Sequence, residues 1–383
     1  MDESVRKGLD GVVADETRLS QIDGEAGELT IGGYPLGELA GNATFEETLF
    51  LLYEDRLPTA EELEAFDERL SAYRTITPAT QSVVEAAATR GQSAMDAARM
   101  GIASASLART DDDRAEEATE RDALLSVAQL PTIVAAYWRA TQGESAPEPR
   151  ADLSHAGNYL YMLTGEEPTE SEVRGLETYV NAVVDHGFNA STFTARAIAS
   201  TESDVVSAVT GAVGALKGPL HGGAPGPVLD MLDETHRADD VRSVLEGKLD
   251  AGERLMGFGH RVYNVRDPRA SVLSEAAESL YRAEDGGDED FYESARETEV
   301  VARDLLSERR PDLDLETNVE FYTAVLLRGV GVPRDLFSAT FAVARVGGWT
   351  AHVIEQRADN RIVRPRSRYV GASNRTWTPI DER

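Results

Sequence analysis

Along most of the chain, short polar stretches that can start a helix are followed by runs in which apolar residues recur at helical spacing. Thr44 with Glu47, Thr59 with Glu62 and Thr169 with Glu172 each place a hydroxyl three residues before a carboxylate, just ahead of such a run. That spacing starts helices, because the two side chains satisfy backbone N–H groups that have no partner in the first turn. Behind the third pair, Val173, Leu176, Val180, Val183 and Val184 recur at intervals of three, four, three and one, a helical rather than a strand period. One region differs. Within residues 11–39, Asp23-Gly24 separates Thr17-to-Ile22 from Glu28-to-Ile31, a composition that favours a small hairpin. Pro131, Pro147, Pro149, Pro168, Pro219, Pro225, Pro227, Pro268, Pro311 and Pro333 punctuate the chain into mostly helix-length pieces. The expectation is an all-α, multi-helix fold with a small N-terminal β-hairpin. No G-x-G-x-x-G follows a strand and no G-x-x-x-x-G-K-[ST] occurs, so a nucleotide-binding fold is not indicated.

With 383 residues, 41% of them hydrophobic, the chain can bury a large core, more naturally in two domains than in one. It has no cysteine, which excludes disulfides, thiolate metal sites and a cysteine nucleophile. The N-terminal Met1-Asp2-Glu3 lacks a basic and apolar leader, and the apolar stretch Ala123 to Trp138 is interrupted by Gln129 and Pro131. The expectation from these is a soluble, non-exported, cytoplasmic protein. Sixty-eight acidic residues against 38 basic ones give a net charge of −30, which opposes binding to nucleic acid or to an anionic membrane. Only Lys7, Lys217 and Lys248 are lysines. Self-repulsion on this scale is best tolerated where salt shortens the screening length, so the composition is read as halophilic. The acidic runs Asp111–Asp113 and Glu284–Asp290 are read as solvated turns, the second as an insertion in a helical region.

Three of the six histidines stand in glycine-bearing turns: Asp185-His186-Gly187, Gly218-Pro219-Leu220-His221-Gly222-Gly223 and Gly257-Phe258-Gly259-His260-Arg261. Glycines beside a polar residue let backbone approach a ligand, which a structural histidine does not require. His221 precedes a helix expected from about Pro225, and the unpaired N–H groups and dipole of a helix start would lower its pKa. A neutral imidazole can then polarise a carbonyl while a carboxylate removes a carbon-bound proton, the division of labour in enolate-forming enzymes. Arg269, Arg345 and Arg364 lie near or after these turns, and a guanidinium holds a carboxylate bidentately.

These motifs, in this order, resemble the citrate synthase family in its shorter dimeric archaeal and bacterial form, over nearly the whole chain. Gly8-Leu9-Asp10-Gly11-Val12, Ser20-Gln21-Ile22-Asp23-Gly24 and Thr44-Phe45-Glu46-Glu47 are similar to its opening. Asp185 to Thr192, Gly218 to Ala224, Gly257 to Tyr263 and Asp267-Pro268-Arg269 are similar to its histidine and arginine motifs. The resemblance implies that His221 hydrogen-bonds a thioester carbonyl and that His260 polarises and protonates the carbonyl of oxaloacetate. It further implies that His186, Arg269 and Arg345 bind oxaloacetate, with Arg364 supplied from a partner subunit, and that Leu255, Met256, Gly257, Phe258 and Gly259 contact coenzyme A. One position departs. Where the family places its catalytic aspartate, before an aromatic pair, this chain has Asn318-Val319-Glu320-Phe321-Tyr322, and Glu320 takes the place of the base. The fold implied is all-helical, with a large domain of residues 1–221 and 325–383 carrying the dimer interface and a small domain of 222–324 closing over substrate. No metal or redox cofactor is implied.

Three other readings stand beside this one, one of them a non-catalytic helical binding protein, suggested by Glu320 alone. A metal-dependent hydrolase using His186, His221, His260 and Glu320 lacks H-E-x-x-H, and His352 with Glu355 is a lone i, i+3 pair. A 2-methylcitrate synthase, using propionyl-CoA, shares every motif above, and one methylene discriminates by only about 1–3 kcal/mol.

Overall fold

The computed structural model describes residues 5–9, 11–109, 118–222, 225–259, 263, 265–284, 286–313 and 315–383. After a single 3-10 turn at Lys7–Leu9 comes a three-stranded antiparallel sheet of β1 (Ser20–Asp23), β2 (Glu28–Ile31) and β3 (Tyr34–Pro35), in the order β1-β2-β3. The expected hairpin is β1–β2, with Ser20 opposite Ile31. Asp23 belongs to the strand rather than to the turn, and its carboxylate accepts the N–H groups of Glu25 and Ala26 at 3.0 and 2.9 Å.

Everything else of regular structure is helical. The first group is α1 (Leu36–Ala40), α2 (Phe45–Glu54), α3 (Ala60–Ala72), α4 (Pro78–Thr89), α5 (Ala94–Ser104), α6 (Ala118–Thr141), α7 (His155–Thr164), α8 (Glu170–Val183), α9 (Ala190–Ala199) and α10 (Val205–Leu216). Then come α11 (Pro225–His236), α12 (Val241–Asp250), α13 (Pro268–Tyr281), α14 (Glu289–Arg309), α15 (Val319–Gly329) and α16 (Phe337–Ala358). All three expected helix starts are complete capping boxes, at the heads of α2, α3 and α8. The valine and leucine stripe of α8 buries Leu176, Val180 and Val183. Of the acidic run 284–290, the described residues 284 and 286–288 lie between α13 and α14, Asp288 caps α14 through the N–H of Phe291, and Glu289 and Asp290 belong to its first turn. Asp111–Asp113 lies outside the described residues.

Pro131 corrects the proline reading. It breaks nothing: α6 runs straight through it. A proline inside a helix forfeits one backbone hydrogen bond and crowds the preceding turn, which an exposed helix would not survive. Here every residue from Asp122 to Tyr137 is buried, with α4, α5, α7 and α16 packed around. Gln129 and Thr132 also tie the helix to the carbonyls of Thr75 and Arg74. Among the described residues, no helix is long and apolar enough to cross a membrane.

The fold brings four helices together at one point. α8 packs against α13, α15 and α16, and those three carry Arg269, Glu320 and Arg345 respectively.

Candidate active site

His186 follows the C-terminal end of α8, in a turn that needs Gly187 at φ 57°. The turn is held from behind. Asp185, fully buried, accepts from the Ser20 hydroxyl at 2.5 Å and lies 3.1 Å from His352 Nε2, while the Gly187 N–H donates to Ser20 Oγ at 2.9 Å. α16 lies so close that a Cβ on Gly348 would stand 2.2 Å from the carbonyl oxygen of Val184. Burial pushes the Asp185 carboxyl up, but the charge and hydrogen bond of His352, with Arg345, hold it below the usual carboxylate range. Burial likewise pushes His352 down, and Asp185 and Glu355 more than reverse that. His352 and Glu355 thus serve a buried ion-pair chain that continues to Arg196, which reaches Glu355 at 2.5 Å and Asp15 at 2.9 Å. On the open side of the turn, His186 Nε2 lies 3.1 Å from the Tyr263 hydroxyl.

His221 is half-buried beyond the end of α10. Its pKa falls as expected, through burial first and the charge of Arg345 second. The helix start that meets it is a different one from the expected. α11 does begin at Pro225, but the group on the imidazole is the N–H of Ser191, in the first turn of α9, 3.2 Å from Nε2. Asn189 caps that helix and Trp349 Nε1 donates to Ser191 Oγ. The Ser191 hydroxyl oxygen lies on the same ring nitrogen at 2.8 Å. A backbone N–H can only donate, so in the tautomer that accepts it Nε2 presents its lone pair and the proton of the neutral ring sits on Nδ1; the opposite tautomer would donate Nε2–H to Ser191 Oγ.

Two guanidinium groups are buried in the same region. Arg345 is 2% exposed on α16, donates from Nε to the Val183 carbonyl at 2.6 Å, and lies 4.7 Å over the Phe341 ring. Burial, with Asp185 and Arg269 acting in opposite directions, takes its pKa down to about 10. Arg269, in the first turn of α13, is gripped by Asp267 at 3.0 and 2.7 Å. Burial disfavours its charge, and Asp267 more than restores it.

Glu320 sits at the start of α15, where the Asn318 side chain caps its N–H at 3.0 Å. It is partly buried. Burial raises its pKa to about 7; Arg269 and Arg345 pull it down and Asp267 pushes it further up. A carboxylate half-ionised near neutrality is what a general base requires. Its neighbours fit that role less well: Asp312 is exposed and paired with Arg310, Glu316 pairs with Arg303 at 2.9 Å, and Asp314 lies outside the described residues.

The Leu255–Gly259 segment lies against the Glu320 turn. Asn318 donates from its backbone N–H to the Gly257 carbonyl at 2.9 Å and from Nδ2 to that of Gly259 at 2.8 Å, and Phe258 bridges to Thr317. Gly257 and Gly259 take φ values of 92° and 79°, and a Cβ on Gly257 would meet Phe321 at 3.0 Å. Leu255 anchors the segment in the core, with Met256 packed partly against it. His260 lies outside the described residues. Arg364 is not gathered with the others. It is exposed on the extended segment after α16 and lines a cavity of about 400 Å³ with Phe188, Arg196 and the 12–15 segment. Among the described residues, no three His, Asp or Glu side chains are grouped to hold a metal ion.

Sequence reasoning missed Ser191, Asp267, Tyr263 and the pairing of Asp185 with His352. Asn189 followed by Ser191 and Thr192 is a helix-start pattern that would have marked the α9 N-terminus. The Asp185–His352 pair spans 167 positions and left no local signal.

The family model described as "Citrate synthase, C-terminal domain" matches residues 8–366. The chain is 42% identical to citrate synthase of Haloferax volcanii, over all of both chains, and 40% identical to citrate synthase of Deinococcus radiodurans, over 99% of each. It is 37% identical to 2-methylcitrate synthase of Shewanella oneidensis, over 98% of this chain and 97% of that one. Its fold matches the crystal structure of citrate synthase from Thermotoga maritima with a TM-score of 0.83 at 36% identity, covering 99% of each chain. It also matches the Thermoplasma acidophilum enzyme, solved in ternary complex with carboxymethyl coenzyme A and oxaloacetate, with a TM-score of 0.87 at 30% identity, covering 99% of this chain and 100% of that one. With matches this long in both sequence and fold, the chain belongs to the citrate synthase family.

Proposed function

We propose that the chain condenses acetyl-CoA with oxaloacetate and hydrolyses the resulting citryl-CoA to citrate and coenzyme A. The observation that carries the chemistry is the Ser191 N–H on His221 Nε2; with Nε2 accepting it, Nδ1–H is the donor for the thioester carbonyl. Glu320 removes a proton from the thioester methyl as His221 hydrogen-bonds the developing enolate oxygen. The nucleophilic carbon attacks the ketone carbon of oxaloacetate, whose oxygen takes a proton from His260. Water then cleaves the thioester, releasing citrate and the CoA thiol. Arg269, Arg345 and His186 hold the oxaloacetate carboxylates and carbonyl, and the Leu255–Gly259 backbone carries the CoA chain. The large domain of 1–221 with 325–383 and the small domain of 222–324 close on one another around this site; the second boundary falls inside α15.

The acyl group is tested by free-CoA release with oxaloacetate and either acetyl-CoA or propionyl-CoA, compared as kcat/KM. We expect acetyl-CoA to be favoured by 10-fold or more, about what one methylene can discriminate. A preference for propionyl-CoA would make the chain a 2-methylcitrate synthase.

The active unit is a cytoplasmic homodimer with composite sites, a reading supported by Arg364 standing exposed and away from the other substrate-binding residues. An Arg364→Ala subunit mixed with a His260→Ala subunit should regain activity, since one of the two sites in the heterodimer is intact. Proven heterodimers without turnover would reject shared sites.

A further inference from the structure

Tyr179 is the largest polar group near the candidate site that the chemistry above leaves unused. It lies on α8 two turns before His186, fully buried, and its hydroxyl has no hydrogen-bond partner among the described residues. A buried hydroxyl without a partner costs free energy and persists where something else makes use of it. α8 packs against α13, α15 and α16, and one turn before Tyr179 a Cβ on Gly175 would meet Val330 and Leu326, near the end of α15, at 3.0 and 3.4 Å. The titratable groups whose charge reaches the phenol are Glu320 from α15, Arg345 from α16, Arg269 from α13 and Tyr159 from α7. A phenol O–H needs an acceptor. Arginine has none to offer, and Tyr159 is already paired with Thr340 at 2.9 Å. Asp267, the other carboxylate beside Glu320, is taken up by Arg269 and by the N–H of Val319. Of these titratable groups, the Glu320 carboxylate is left as the acceptor.

We propose that Tyr179 is a positioning residue for Glu320, donating its hydroxyl proton to the carboxylate in the substrate-bound enzyme and so steering the side chain that carries one methylene more than aspartate. The hydrogen bond stabilises the ionised carboxylate against the burial that disfavours it. It also fixes the oxygen near the methyl carbon, where a misplacement of about 1 Å costs on the order of 100-fold in rate. The proposal rests on Glu320 being the base.

The test is the pH profile of kcat in Tyr179→Phe, which keeps the ring in place and leaves the fold intact. Losing the donor should move the acid limb up by roughly one pH unit, with about tenfold lower turnover at pH 6 and recovery at alkaline pH, while KM for oxaloacetate changes little. An acid limb that stays in place overturns the proposal, as does a raised oxaloacetate KM with an unmoved limb, which would make the phenol a substrate contact. Glu320→Gln run alongside separates the two failures. If that variant keeps full turnover, the base assignment is wrong; if it is inactive while Tyr179→Phe keeps the parent acid limb, only the role of Tyr179 falls.

Discussion

Glu320→Gln should lose between about 10² and 10⁴ in kcat while still binding oxaloacetate, the range expected when a positioned general base is removed. The amide is isosteric with the acid, so it fills the same space beside Arg269, Arg345 and Asp267 while removing the negative charge and the ability to take a proton. Burial has raised the pKa of Glu320 to about 7 against the pull of the two arginines, and the base must be ionised to act. Turnover should therefore rise as pH increases from 6 to 8, with a midpoint near 7, and flatten above. Glu320→Asp, restoring the residue expected in the family at this position, should preserve or raise the rate, because the side chain no longer has to fold back by roughly 1.5 Å to bring its oxygen to the same point. A steady-state series at fixed oxaloacetate decides this. Parent-rate turnover by the glutamine variant would send the search for the base to Glu316 or Asp312, which are salt-bridged in this structure.

Dialysis into low salt should abolish activity and unfold the chain, and molar salt should protect it. The net charge of −30 is spread over one 383-residue chain, and the screening length falls from about 8 Å at 0.15 M to about 3 Å at 1 M. At molar salt, carboxylates on neighbouring helices stop repelling one another, whereas at low salt the compact state bears the whole self-repulsion. Circular dichroism and turnover followed together through the dialysis are the measurement. A chain that stays folded and active for days in dilute buffer has an acidic surface unrelated to salt.

How much of this could be read from the sequence depended on how local each cause is. A capping box is a contact between residues three apart, so Thr44, Thr59 and Thr169 announced their helices correctly. Pro131 misled because its tolerance comes from the helices packed around α6, which lie up to about two hundred positions away in the chain. A lowered pKa for His221 was expected from the start of α11, but the N–H that meets its ring comes from Ser191, thirty positions earlier, because α9 and the end of α10 converge only in the folded chain. Arg345 was one arginine among many by composition. Burial beneath the His186 turn is what singles it out, and no local pattern encodes burial of that kind. Tyr179 stands beside the apolar stripe of α8 and carries no local signal; its orphan hydroxyl exists only in the folded chain.

The most direct measurement is to incubate the purified chain in molar salt with oxaloacetate and acetyl-CoA and to quantify citrate and free coenzyme A in the same sample. The account predicts that the two accumulate in equal amounts, and that neither forms when oxaloacetate is left out. Coenzyme A released without citrate, or at the same rate without oxaloacetate, would mean that the site hydrolyses thioesters and would contradict condensation as its chemistry.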